Sequence, residues 1–97
     1  MKVRYSPQAA ADLAAIADYL TERSTSGAIA VERALRTTIA LIADFPGSGR
    51  QVEQRAGVRV IPVTRYPYLI FYTVADNALV VLHVRHASRR PAGPGDF

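Results

Sequence analysis

Tyr68-Leu69-Ile70-Phe71-Tyr72-Thr73-Val74, then Ala75-Asp76-Asn77-Ala78, then Leu79-Val80-Val81-Leu82-His83-Val84 is the stretch on which the fold of this chain turns. Two runs of β-branched and aromatic residues flank an Asp-Asn pair, and these two residue types suit the tight turn of a hairpin. The stretch predicts two antiparallel strands. Upstream, from Gly57, the run Val58, Val60, Ile61 predicts a third. Pro62 and Pro67 are expected at a strand end or a bulge, since proline has no amide to give to a ladder.

Further toward the N-terminus the period changes. Phe45-Pro46-Gly47 is a stop signal, because the residue before proline disfavours the helical region, and a loop is expected from there to about Ala56. Before it, Ala28, Val31, Leu35, Ile39 and Ile42 recur at helical spacing. Leu13, Ile16, Ala17 and Leu20 do the same, with Asp12, Asp18 and Glu22 on the opposite side. The polar turn Arg23-Ser24-Thr25-Ser26-Gly27 separates these two helices, and so short a joint predicts antiparallel neighbours. Ser6-Pro7 reads as an N-cap followed by proline at the first helical position. Ahead of it, Lys2-Val3-Arg4-Tyr5 alternates as a short strand does. The expected fold is therefore α+β: an N-terminal strand, an antiparallel helix hairpin and a three-stranded antiparallel meander. Residues 1–91 form one domain in this reading, and 92–97, rich in proline and glycine, a flexible tail.

The chain has 97 residues, 49% hydrophobic and 21% charged, enough for one packed domain and too few for two. Without cysteine there is no disulfide or thiolate site, and two histidines make a poor zinc site, so no metal and no cofactor is expected. No apolar run has membrane-spanning length and the N-terminus does not read as a signal peptide, which predicts a cytoplasmic protein. The charge is one-sided. Up to Gly49 the two signs cancel, whereas Arg50, Arg55, Arg59, Arg65, Arg85, Arg89 and Arg90 face only Glu53, Asp76 and Asp96. Arginine's planar fork suits phosphate or carboxylate, so the implied partner is a nucleic acid or an acidic protein. Solubility is the plainer explanation for any single arginine.

The ordered set Val3-Arg4-Tyr5-Ser6-Pro7-Gln8-Ala9, Asp12-Leu13, Ile16-Ala17-Asp18-Tyr19, Phe45-Pro46 with Gly49-Arg50, Val58-Arg59, Tyr68 to Tyr72, and Val80 to His86 with Ser88-Arg89-Arg90 resembles the RelE/ParE superfamily over roughly residues 1–91. Its opening is similar to the ParE-type start. The resemblance implies a toxin held inactive by a cognate antitoxin. ParE-like members are associated with poisoning DNA gyrase, and RelE-like members with cutting messenger RNA on the ribosome. On this resemblance the target-binding residues are Arg50, Arg59, Arg65, Arg85, His86, Arg89 and Arg90. Leftover apolar surface on the second helix, Ile29 and Leu41, is assigned to the antitoxin, by groove contact or by addition of a strand to a sheet edge. A homodimer and a hetero-oligomer with the antitoxin are both open.

Metal-free RNA cleavage needs a proton acceptor, cations around the phosphate and an acid for the leaving oxygen. His86 with Arg59 and Arg89 is the alternative catalytic set, with His83 or a tyrosine as further proton carriers. Against it, Glu53 lacks a fixed geometry, Ala87 follows His86, and no tyrosine stands near the C-terminus. A histidine ending a strand also serves simply as a hydrogen-bonded structural residue. Tyr66, Tyr68, Phe71 and Tyr72 suit sheet packing better than base stacking. The leading expectation is a ParE-like toxin without catalysis, followed by a ribosome-dependent endoribonuclease, and then a non-toxic binding module of the same fold.

Overall fold

The computed structural model describes residues 1–88; Arg89, Arg90 and the tail expected over 92–97 lie outside the described residues. In chain order the elements are β1 (Lys2–Tyr5), α1 (Pro7–Arg23), α2 (Thr25–Asp44), a 3₁₀ turn (Pro46–Ser48), β2 (Arg50–Gln51), β3 (Arg59–Pro62), β4 (Tyr68–Ala75) and β5 (Ala78–His86). The strands form one five-stranded sheet in the order β1-β5-β4-β3-β2. The two helices cover one of its faces. This is the α+β architecture expected from the sequence.

Local chemistry sets the element ends. Ser6 caps α1: its hydroxyl accepts from the Ala9 amide at 3.0 Å and donates to the Leu82 carbonyl at 2.7 Å, so the cap also ties the helix to β5. The joint between the helices is tighter than the expected five-residue turn. Ser24 alone links them, in extended conformation, closing α1 through Leu20 and capping α2 by accepting from the Gly27 amide. Thr25, Ser26 and Gly27 belong to the first turn of α2, so the glycine does not mark a helix end. At the other end, Pro46 stops α2 as expected.

In the sheet, Asp76 and Asn77 both have positive φ (50° and 61°), the two-residue hairpin conformation that twisted strands favour. Pro62 ends β3 and Pro67 immediately precedes β4. Two features go beyond the expected meander. Residues 50–51, read as loop, add the edge strand β2 against β3, and β1 lies parallel to β5, Lys2 opposite Ala78 and Tyr5 opposite Val81. The β4–β5 ladder has a bulge: Tyr72 opposes Val81 and Phe71 opposes His83, so Leu82 is the extra residue. Leu79 and Val81 face the helices before it and Val84 does after it.

The main core lies between sheet and helices. Ile42, Ile70, Tyr72, Leu79 and Val81 are fully buried there, with Val31, Leu35 and Ile39 of α2 and Ala9 of α1. A smaller core lies on the opposite face, where the β2–β3 loop folds over the sheet and buries Val52, Val58, Val60 and Phe71. The Thr73 hydroxyl pins that loop by donating to the Gly57 carbonyl at 2.6 Å.

Candidate functional site

Residues predicted to share one basic site are divided by the sheet. Register places Arg50, opposite Val60 and Phe71, and Arg85, opposite Leu69, on the face away from the helices. Arg59, opposite Tyr72, and His86, opposite Tyr68, are on the helix face. Arg65 has φ 73° in the exposed turn between β3 and β4. The Ala87 amide donates to the Pro67 carbonyl at 2.7 Å, which brings that turn, and Arg65, to the end of the sheet where Arg85 and His86 stand.

Arg59 has a structural engagement. Its guanidinium donates to the Gly49 carbonyl at 2.7 Å, within a turn that Tyr72 also holds: the buried phenol donates to the Pro46 carbonyl at 2.7 Å and accepts from the Gly49 amide at 2.8 Å. A side chain at Gly49 would sit 2.5 Å from the Tyr72 oxygen, which explains the glycine by close approach. None of this was visible in the sequence, because the partners are 10 to 26 residues apart.

His86 meets Tyr68 edge-on, with ring centroids 5.7 Å apart. Its Nδ1 accepts from the Ser88 amide at 3.2 Å and lies 2.6 Å from the Ser88 hydroxyl. Burial, with a smaller contribution from Tyr19, raises the pKa of Tyr68 above the ordinary value. Tyr19 itself carries the Arg23 guanidinium over its ring, 3.5 Å from the centroid. Counting strands and residues, Arg59 and His86 are roughly 16 Å apart, two strand spacings across and four residues along.

His83, the other histidine, is fixed by Asp12. One carboxylate oxygen of Asp12 takes the His83 Nδ1 at 2.5 Å and the Val84 amide at 2.9 Å, just past the point where β1 stops pairing with β5. Asp12 thus satisfies the edge of β5 that β1 leaves open. The His83 ring also stacks on Phe71 at 5.9 Å. Among the described residues no group of three or more His, Asp or Glu is placed to hold a metal ion, and no helix is long and apolar enough to cross a membrane.

The helix layer holds a feature the sequence did not single out. A groove of about 300 Å³ runs between α1 and α2, lined by Leu13, Ile16, Leu20, Val31, Leu35 and Ile39 and bounded by Tyr5, Glu32 and Arg36. Glu32 and Arg36 form an ion pair on its rim. Ile29 and Leu41 are exposed, 54% and 46%, but neither lines the groove. Being twelve positions apart on one helix, they are about 18 Å apart along its axis and cannot form one small patch. The groove's lining was legible as apolar periodicity, which was read as core.

A single-residue helix joint, a helix pair on one face of a small mixed sheet and a parallel pairing of first and last strands define the RelE/ParE class of small toxins. The sequence matches the family of the ParE toxin of type II toxin–antitoxin systems, parDE, over residues 3–91, and the chain belongs to that family. Toxin RelE2 of Caulobacter vibrioides is 35% identical to it over 88 residues, 91% of this chain and 97% of that protein. Among solved structures, the chromosomal ParDE system of P. aeruginosa superposes with a TM-score of 0.76 at 24% identity, covering 91% of this chain and 97% of that one. The isolated RelE toxin of E. coli superposes with 0.64 at 14% identity, covering 91% and 85%.

Proposed function

We propose that this toxin acts in the cytoplasm by binding an essential protein target, DNA gyrase, rather than by cutting RNA, and that a cognate antitoxin neutralises it through the α1–α2 groove. The observation that carries the target reading is the separation of Arg59 from His86. General acid–base cleavage needs its proton carrier and its phosphate-binding cation within reach of the same few atoms. Here they stand roughly 16 Å apart by strand geometry, and Arg59 is engaged by the Gly49 carbonyl. The family match to ParE toxins supports the same branch.

For the antitoxin, the E. coli RelBE toxin–antitoxin complex, with a TM-score of 0.63 and 15% identity, supports a protein partner on this fold. The groove offers such a partner an apolar floor for side chains at helical spacing, with Glu32 and Arg36 at its rim. The test has two arms. Purified chain added to gyrase is expected to inhibit supercoiling and trap cleaved DNA while transcripts in expressing cells stay intact; codon-linked transcript cleavage without any effect on gyrase refutes the target reading. In the second arm Ala17→Arg, which places a long cation in the groove, is expected to leave toxicity intact and abolish rescue by the antitoxin. Undiminished rescue rules the groove out.

A further inference from the structure

The sheet face away from the helices is divided in two. Its β2–β3–β4 part lies under the β2–β3 loop and its small core. Its β1–β5 part carries no such cover, and the parallel pairing of β1 with β5 brings to it two cations from the far end of the sequence. Val3 packs on the main core, so strand alternation turns its neighbours Lys2 and Arg4 to the other face. Both are exposed. The bulge at Leu82 sets Arg85 on the same face, opposite Leu69.

Lys2, Arg4 and Arg85 thus mark a strip roughly 20 Å long and one strand spacing wide. No carboxylate occupies an outward position of β1 or β5. Asp12 is engaged by His83 and Val84, and Asp76 lies in the hairpin turn. Among the described residues no ion pair involves Lys2 or Arg4. Lys2 and Arg4, two positions apart on a strand, are about 6.6 Å from each other, close to two axial steps of about 3.4 Å along one strand of B-form DNA.

We infer that this β1–β5 strip is a contact surface for the phosphate backbone of duplex DNA, so that the toxin touches DNA as well as its protein target. Charge complementarity selects a polyanion, and the absence of a stacking platform selects a duplex. The exposed aromatic residues are elsewhere: Tyr5 borders the groove, Tyr19 is on α1 and Phe45 ends α2. Single strands are held by bases stacked on aromatic rings, and a duplex keeps its bases hidden and offers phosphates alone. The inference rests on the gyrase reading for its setting, since the DNA that gyrase holds is the DNA at hand.

The test uses the full chain without gyrase. Binding to a fluorescein-labelled 30-base-pair duplex of mixed sequence is followed by anisotropy between 50 and 200 mM salt, beside a single-stranded oligomer of the same length. With about three phosphate contacts the affinity is expected to fall about 40-fold over that range, and in the Lys2→Gln/Arg4→Gln variant only about 3- to 4-fold. Arg33→Gln, on the exposed side of α2, is expected to behave as the unaltered chain, and circular dichroism confirms that every variant is folded. No duplex binding, a salt dependence unmoved in the double variant, or tighter binding to the single strand overturns the inference. Supercoiling inhibition measured on the same preparation separates the two claims: inhibition without duplex binding refutes this surface and leaves the target reading standing, and duplex binding without inhibition does the reverse.

Discussion

Replacing Tyr72 by phenylalanine removes one oxygen and leaves the ring, so it isolates the polar contribution of the most enclosed aromatic residue. The side chain is fully buried, and its hydroxyl bridges the Pro46 carbonyl and the Gly49 amide at 2.7 and 2.8 Å. Each hydrogen bond is worth about 1 kcal/mol net, and a buried amide left without a partner costs about 1–3 kcal/mol. The two effects overlap, which gives an expected loss of about 2–3 kcal/mol. For a domain of this size that corresponds to a fall in Tm of roughly 10–20 °C. Urea unfolding followed by far-UV circular dichroism measures it, with an unchanged m-value expected because the folded state stays as compact. Hydrogen exchange at the Gly49 amide should rise in parallel. A loss under about 0.5 kcal/mol, well below one hydrogen bond's usual worth, with Gly49 exchange unaltered, would refute the idea that this phenol anchors the turn.

Three further outcomes follow from the same geometry. Gly49→Ala places a methyl group 2.5 Å from the Tyr72 oxygen and 2.9 Å from the Val60 carbonyl oxygen and is expected to cost about 1–3 kcal/mol in urea unfolding; Gly47→Ala, with nothing within 4 Å, is expected to stay within about 0.5 kcal/mol, and equal effects would contradict the steric explanation. Asp12→Ala strands the Val84 amide and the His83 ring, for an expected loss of about 2–3 kcal/mol against a negligible one for exposed Asp18→Ala, checked by thermal unfolding. Burial, then Tyr19, raises the pKa of Tyr68, so the folded state holds that proton more tightly than the unfolded chain does. This contribution is complete below the ordinary tyrosine value near 10 and is lost as pH rises through the higher folded value; stability should decline above pH 10, less steeply in Tyr68→Phe, and identical slopes in the two proteins would argue against the shift.

The hairpin and the helices were legible because their signals are local. Asp76-Asn77 carries its own turn conformation, and the apolar period of α1 and α2 needs no distant partner to be read. Features set by partners far along the chain were not. β2 has only two residues, both exposed, and no period can show in so short a piece. Gly27 looked like a helix end because glycine often is one, whereas Ser24 closes one helix and caps the next. The bulge at Leu82 defeats a reading of β5 by strict alternation, which would send His83 and Arg85 to the helix side. For the site, the arginine excess was correctly located in the second half of the sequence. How it is distributed over two faces depends on register, and the addition of Lys2 and Arg4 depends on β1 returning to lie beside β5. Arg59 read as a free cation because its carbonyl partners belong to a turn that no residue type announces.

The place of β5 also bears on when the protein comes into being. The strand made last lies between β1, made first, and β4, with Lys2 waiting for Ala78 across most of the message. At roughly 5–20 residues per second of synthesis, the helix pair leaves the ribosome seconds before the strand that Ser6 and Asp12 will bind exists. A nonsense codon anywhere ahead of Ala78 therefore yields a fragment in which neither the groove's floor nor the cationic strip can be assembled. A growing cell that translates such a gene is exposed to the poison only once nearly the whole reading frame has been decoded.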